Sequence, residues 1–215
     1  LSPFVVSSEN EQGYRAQQTV VGSRSAKALV DIPASISIIN LEQINDLNAA
    51  ELYQVIKFAV SGVTQNASIG DDINIRGFRL GGRLRDGVLS NNWAPAPMYD
   101  VERIEVLRGP GAMLTGNNTG IGGSINFVSR KPTAKPMAEI QTTFSDNSYA
   151  RLQANVSGPL VKKDDFSLNY RVTVGGLTGD RDKEIENQKE KFFGSALGMY
   201  FGSHTSIQVD GYFYD

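Results

Sequence analysis

The residues with the most chemical promise lie in the glycine-rich run from Gly109 to Gly123. Gly111 and Gly116 have the spacing of a phosphate-binding P-loop, in which backbone amides cradle the phosphates and a lysine reaches the outermost one. Here Gly116 is followed by Asn117 and Asn118, so no ammonium is placed to meet a phosphate and nucleotide chemistry falls away. Cysteine is absent and His204 is the single histidine, which removes disulfides, thiolate metal sites and cysteine nucleophiles and leaves a histidine-based zinc site or triad without material. Asp71 and Asp72 form a suggestive acidic pair, without the convergent base that acid–base catalysis requires. No catalytic residue, no metal site and no cofactor are expected.

The elements around that run are strands. Ile104 to Leu107 and Ile125 to Val128 are short apolar stretches rich in β-formers, with Asn126 as the polar interruption. The uncharged stretch from Gly109 to Ser129 has the length of a membrane helix, but its six glycines between 109 and 123 and its three asparagines are wrong for hydrocarbon. Between the strands, Pro110 suits the first turn of a one-turn helix over Ala112 to Leu114, which Gly116 can close.

Upstream, residues 1–31 are polar and carry no sustained period, apart from the cluster Phe4-Val5-Val6; they read as a flexible leader. Ser35 to Ile38 alternates as a half-buried strand. Asn40 and Asn48 each precede a capping partner three residues on, Gln43 and Glu51, predicting two short helices. In the second, Leu52, Val55, Ile56 and Ala59 line one face. Ile73 and Ile75 mark a strand running into Arg76-Gly77-Phe78, and Asp86-Gly87 is a hairpin turn. A compact α+β unit, a small mixed sheet with short helices, is expected over residues 32–136.

After Pro136 the period becomes two. Phe166, Leu168, Tyr170, Val172 and Val174 alternate with polar residues, and weaker alternation over 138–145, 149–157, 192–201 and 205–214 gives five expected antiparallel strands. Asp146 to Ser148, Gly158 to Asp165 and Gly202 to His204 are the expected short connections, and Leu177 to Lys191 a longer charged loop. This pattern suits a transmembrane barrel or a soluble β-sandwich. With 21 basic and 23 acidic residues and a net charge of −2, no nucleic-acid partner is implied.

The blocks VERIEVLRGP (101–110) and GIGGSINFVSRKP (120–132), preceded by Ile75-Arg76-Gly77-Phe78 and Asp86-Gly87, resemble the plug domain of TonB-dependent outer-membrane receptors of the siderophore type. Thr115 departs from the tyrosine usual there. The resemblance implies a plug inside a large transmembrane β-barrel, incomplete in this chain, whose first strands occupy residues 137–215. A unit of about 135 residues is roughly 35 to 40 Å across. A barrel of about 22 strands can hold it and one of eight cannot, so the chain is expected to be the N-terminal piece of a longer receptor, its signal peptide removed.

The resemblance also implies roles. Leu1, Ser2, Pro3, Phe4, Val5, Val6 and Ser7 look like a TonB box, captured by TonB of the inner-membrane energising complex through strand addition. Arg76 and Arg108 would pair with barrel-wall carboxylates and lock the plug. Ligand capture would use the excursions 80–85, 91–98 and 117–120, with Arg79, Arg83, Arg85, Trp93, Asn117 and Asn118 as candidates. The implied function is import of a scarce solute across the outer membrane, a ferric siderophore first and cobalamin, haem or a glycan behind it. Outer-membrane lipid is the other implied partner. The competing expectation is a soluble periplasmic binding or adhesion protein.

Overall fold

The computed structural model describes residues 18–19, 27–28, 35–47, 52–65, 72–90, 97–109, 120–145, 148–180, 187–202 and 205–215. Two compact units divide between Ser129 and Arg130, seven residues before the expected boundary at Pro136.

In the first unit, β1 (Gln18–Thr19) and β2 (Lys27–Ala28) form a small antiparallel pair. Then come β3 (Ser35–Asn40), α1 (Leu41–Asp46) and α2 (Leu52–Ala59). Asn40 caps α1 as its spacing predicts, its side-chain oxygen accepting from the Gln43 N–H at 3.1 Å. Leu52, Val55 and Ile56 of α2 are fully buried, so the apolar face read from the 3.6-residue period faces the core. The second capping pair, Asn48 and Glu51, lies outside the described residues.

β4 (Val63–Gln65), β5 (Ile73–Ile75) and β6 (Phe78–Arg79) make a three-stranded antiparallel sheet. β7 (Arg83–Arg85), β8 (Val88–Ser90), β9 (Val101–Arg108) and β10 (Gly123–Ser129) join β3 in a mixed sheet of order β3-β9-β10-β7-β8, with β10 and β7 parallel. Ile39, Ile44, Val55, Ile75, Ile104 and Ile125 belong to one buried cluster that unites both sheets and both helices.

Two hairpins here turn on the same chemistry. Asp86-Gly87 links β7 to β8 with φ of 50° and 80°, as its sequence predicts. Arg76-Gly77 links β5 to β6 with φ of 52° and 81°, whereas the sequence reads as strand running through it. Positive φ at both central residues is the type I′ geometry that matches strand twist.

The second unit is an antiparallel meander: β11 (Met137–Ser145), β12 (Tyr149–Lys162), β13 (Phe166–Asp180), β14 (Asn187–Phe201) and β15 (Thr205–Tyr214). All five expected strands are present, but two expected connections are largely strand. Residues 158–162 belong to β12, and the ladder of β13 with β14 continues from Leu177–Glu190 to Asp180–Asn187. Ladder bonds use only backbone groups, so charged side chains do not end them. A strand of 15 residues tilted by about 40° rises about 38 Å, beyond the roughly 25 Å apolar band of an outer-membrane barrel.

The faces of this meander are inverted relative to a soluble sheet. Gln153, Asn155 and Ser157 of β12 and Asn169, Arg171 and Thr173 of β13 are buried, while Ile140, Leu152, Val156, Val174, Phe193 and Val209 are exposed. The register brings these apolar positions onto one surface, with Ala154 opposite Val174 and Val174 opposite Phe193. Apolar-out, polar-in alternation is the arrangement hydrocarbon requires. Among the described residues no helix is long and apolar enough to cross a membrane.

Candidate functional site

Arg76 sits at the tip of the β5–β6 hairpin in the left-handed region, a conformation costly for a residue with a β-carbon. Its N–H donates to the Gly62 carbonyl at 2.8 Å. Its side chain runs past Gly62 to Gly109, where a β-carbon would stand 3.1 Å from Nη1. Arg108, the last residue of β9, donates from Nη1 to Ser61 Oγ at 2.8 Å, and the Ser61 carbonyl lies 3.4 Å away. The two sequence-predicted arginines are thus gathered on one cradle, Ser61-Gly62 on one side and Gly109 on the other. Among the described residues neither forms an ion pair with a carboxylate, and Arg108 Nε is buried without a hydrogen-bond partner. The forked donors of a guanidinium group can bind a carboxylate bidentately.

The ligand candidates separate. Residues 83–85, expected as part of an excursion, are instead strand β7, which carries both Arg83 and Arg85. Arg83 is 3% exposed. Arg85 is largely buried and ion-paired with Asp100. Burial pushes the Asp100 carboxyl above its ordinary range, Arg85 opposes that by charge and hydrogen bond, and Asp86 adds a further upward push. Arg79 is different: its side chain is 60% exposed and its Nε lies 2.9 Å from Asp72 Oδ1. Trp93, Asn117, Asn118 and the segment from Leu1 to Ser7 lie outside the described residues.

A buried polar chain in the mixed sheet went unread in the sequence. Glu105, fully buried in β9, lies 2.9 Å from Arg103 Nη2 and accepts from Asn126 Nδ2 at 3.1 Å. Asn126 Oδ1 in turn accepts from the Gly87 N–H at 3.0 Å. Asp86 next to it accepts from the Ser129 N–H at 3.0 Å and from the Ser129 hydroxyl. The β7–β8 turn is therefore tied across to β10. Asn126 interrupting an apolar run was the available signal; its partner Glu105 lies in a neighbouring run, and only the β9–β10 register pairs them.

Comparisons with known proteins agree with this architecture. Residues 28–124 match the TonB-dependent Receptor Plug Domain family. The metal-pseudopaline receptor CntO of Pseudomonas aeruginosa is 30% identical over 80% of this chain and 25% of its own length. The ferrichrome outer membrane transporter/phage receptor of Escherichia coli is 28% identical over 84% of this chain and 25% of its own. Among solved structures, the pyoverdine outer membrane receptor FpvA of Pseudomonas aeruginosa superimposes with a TM-score of 0.85 at 20% identity, covering 96% of this chain and 31% of that one. The chain spans about a quarter of the length of the curated relatives it matches. With its α+β unit, its outward apolar sheet and these matches, the chain belongs to the TonB-dependent receptors of the outer membrane and carries their plug domain at residues 28–124.

Proposed function

We propose that this chain is the plug and first wall strands of a receptor that binds a ferric siderophore outside the cell and imports it with energy delivered by TonB. The observation that carries the reading is the sheet of β11, β12 and β13, apolar outward and largely polar inward, which follows the plug in sequence. The soluble-sandwich alternative runs against that exposure, since it would leave Ile140, Phe144 and Phe213 in water. A chelated metal is the cargo class because the two curated relatives above are named for metal-pseudopaline and ferrichrome. No bond of the cargo is made or broken.

In this reading residues 1–7 add as a strand to TonB, with main-chain bonds giving affinity, and tension on that segment rearranges the plug. Arg76 and Arg108 lock the plug by meeting carboxylates elsewhere in the receptor. Arg79, with Trp93, Asn117 and Asn118, contacts the anionic chelate and its planar groups. Deleting residues 1–7 from the full-length receptor tests it: energised uptake of radio-iron chelates is lost while their binding to the cell surface persists. Uptake that survives the deletion contradicts the reading.

A further inference from the structure

Residues 130–136, Arg-Lys-Pro-Thr-Ala-Lys-Pro, lie between β10 and β11 and have no ladder of their own, yet the second unit holds them at four points. Arg130, only 5% exposed, places Nη1 2.9 Å from Glu139 Oε2. The Lys131 carbonyl accepts from Arg171 Nε at 2.8 Å. The Thr133 N–H donates to Ser157 Oγ at 2.9 Å, and the Thr133 hydroxyl lies 2.9 Å from the same oxygen. Pro136 packs on Gly158 so closely that a β-carbon there would come within 3.1 Å of its Cα.

The holding groups are themselves held. Arg171 also donates from Nη1 to Asn155 Oδ1 at 2.7 Å, and its Nη2 lies 3.6 Å from Met137 Sδ, so one buried guanidinium ties the segment to β11 and β12 from its place in β13. Ser157 Oγ donates to the Tyr170 carbonyl at 2.8 Å. Pro132 and Pro136 fix their own φ and restrict the backbone of Lys131 and Lys135 before them, so less chain freedom is lost in ordering the segment.

We propose that residues 130–136 are the stationary end of the plug, with Arg171 and Ser157 as positioning residues that keep this connector fixed to the wall strands while the chain before it rearranges. The proposal rests on the reading that TonB pulls on the N-terminal segment. Tension passes along a chain until it meets a segment whose attachments must break together, and the four attachments here are of that kind.

Hydrogen exchange on the full-length receptor in detergent micelles tests the anchor without energy or cargo. The Thr133 amide, in no strand, should exchange slowly, and Ser157→Ala should speed it about tenfold while the ladder amides of β12 and β13 stay as they were. Exchange of Thr133 at the rate of open chain in the unaltered receptor, or no change in Ser157→Ala, overturns the proposal. A second variant covers transport. This chain has no cysteine, so in a receptor whose remaining segments are also cysteine-free Thr133→Cys with Ser157→Cys can be cross-linked cleanly. Uptake of radio-iron carried by hydroxamate, catecholate and carboxylate chelators should be equal in oxidised and reduced cells; uptake lost on oxidation and restored by reductant overturns the stationary anchor. An unaltered receptor that imports none of these chelates counts against the transport reading, and exchange then decides the anchor alone.

Discussion

The guanidinium of Arg76 rests on Gly109: a β-carbon there would stand 3.1 Å from Nη1, and the φ of +97° is one that other residues rarely adopt. Gly109→Ala therefore strains the backbone and displaces Arg76 together. The expected cost is about 1 to 3 kcal/mol of plug stability, read by urea unfolding, with passive antibiotic influx rising toward that of Arg76→Ala. A variant of unchanged stability and influx contradicts the cradle.

Arg76→Ala and Arg108→Ala each remove one of two like charges that share this cradle. In the full-length receptor we expect either to loosen the plug and raise passive permeability. Ser61→Ala, which removes the Oγ acceptor 2.8 Å from Arg108 Nη1, should give a smaller rise in the same direction. Antibiotic leakage equal to the unaltered receptor in all three variants would remove the lock.

Asn126→Leu leaves the Glu105 carboxylate and the Gly87 N–H without the partners they have at 3.1 and 3.0 Å. Stranding a buried charge and a backbone donor should cost about 2 to 4 kcal/mol. Denaturant unfolding measures it, and a loss below about 0.5 kcal/mol, typical of surface substitutions, would show that the chain across the sheet contributes little.

Asp100 gives the plug a dependence on pH. Its folded pKa is raised above the ordinary 3.8, burial outweighing Arg85. The folded state then holds the proton more tightly than the unfolded chain. The group's contribution to stability is accordingly greatest below the unfolded value and declines as pH rises through the folded one. Compared with Asp100→Asn, the unaltered protein should lose relative stability as the pH rises above the ordinary value of 3.8. Relative stability that grows over that range would mean that the Arg85 pair dominates instead.

Much of this was legible because it is local. The Asn40 cap, the apolar face of α2, the Asp86-Gly87 hairpin and the strands of the glycine-rich stretch each follow from spacings of four residues or fewer. Arg76-Gly77 was missed as a turn because arginine is a poor residue for positive φ, and its reason for being there lies across the fold at Gly62 and Gly109. Arg83 and Arg85 looked like loop charges. Their burial follows from the parallel pairing of β7 with β10, a long-range contact. In the second unit the period of two was plain, but period alone cannot say which face is outside. Residues 158–162 looked like loop because they open on Gly158-Pro159, and 177–180 because they lead into a charged run, although hairpin ladders need only backbone.

Val174, exposed on the apolar face opposite Ala154 and Phe193, separates a membrane wall from a soluble sheet by energy. Val174→Lys on a solvated surface should change stability by less than about 0.5 kcal/mol, whereas near a bilayer midplane it should cost about 2 to 4 kcal/mol. Reversible unfolding from lipid vesicles measures the difference, and the smaller value contradicts a lipid-facing position.

Accessibility along β13 tests the wall most directly. This chain has no cysteine, so in a full-length receptor kept cysteine-free elsewhere, single substitutions Leu168→Cys, Asn169→Cys, Tyr170→Cys, Arg171→Cys, Val172→Cys, Thr173→Cys and Val174→Cys can each carry a fluorophore in vesicles. A quencher confined to the acyl chains should extinguish the probes at 168, 170, 172 and 174 and spare those at 169, 171 and 173. Uniform quenching, none at all, or the opposite alternation would contradict a sheet that faces lipid with its apolar side and the interior with its polar one.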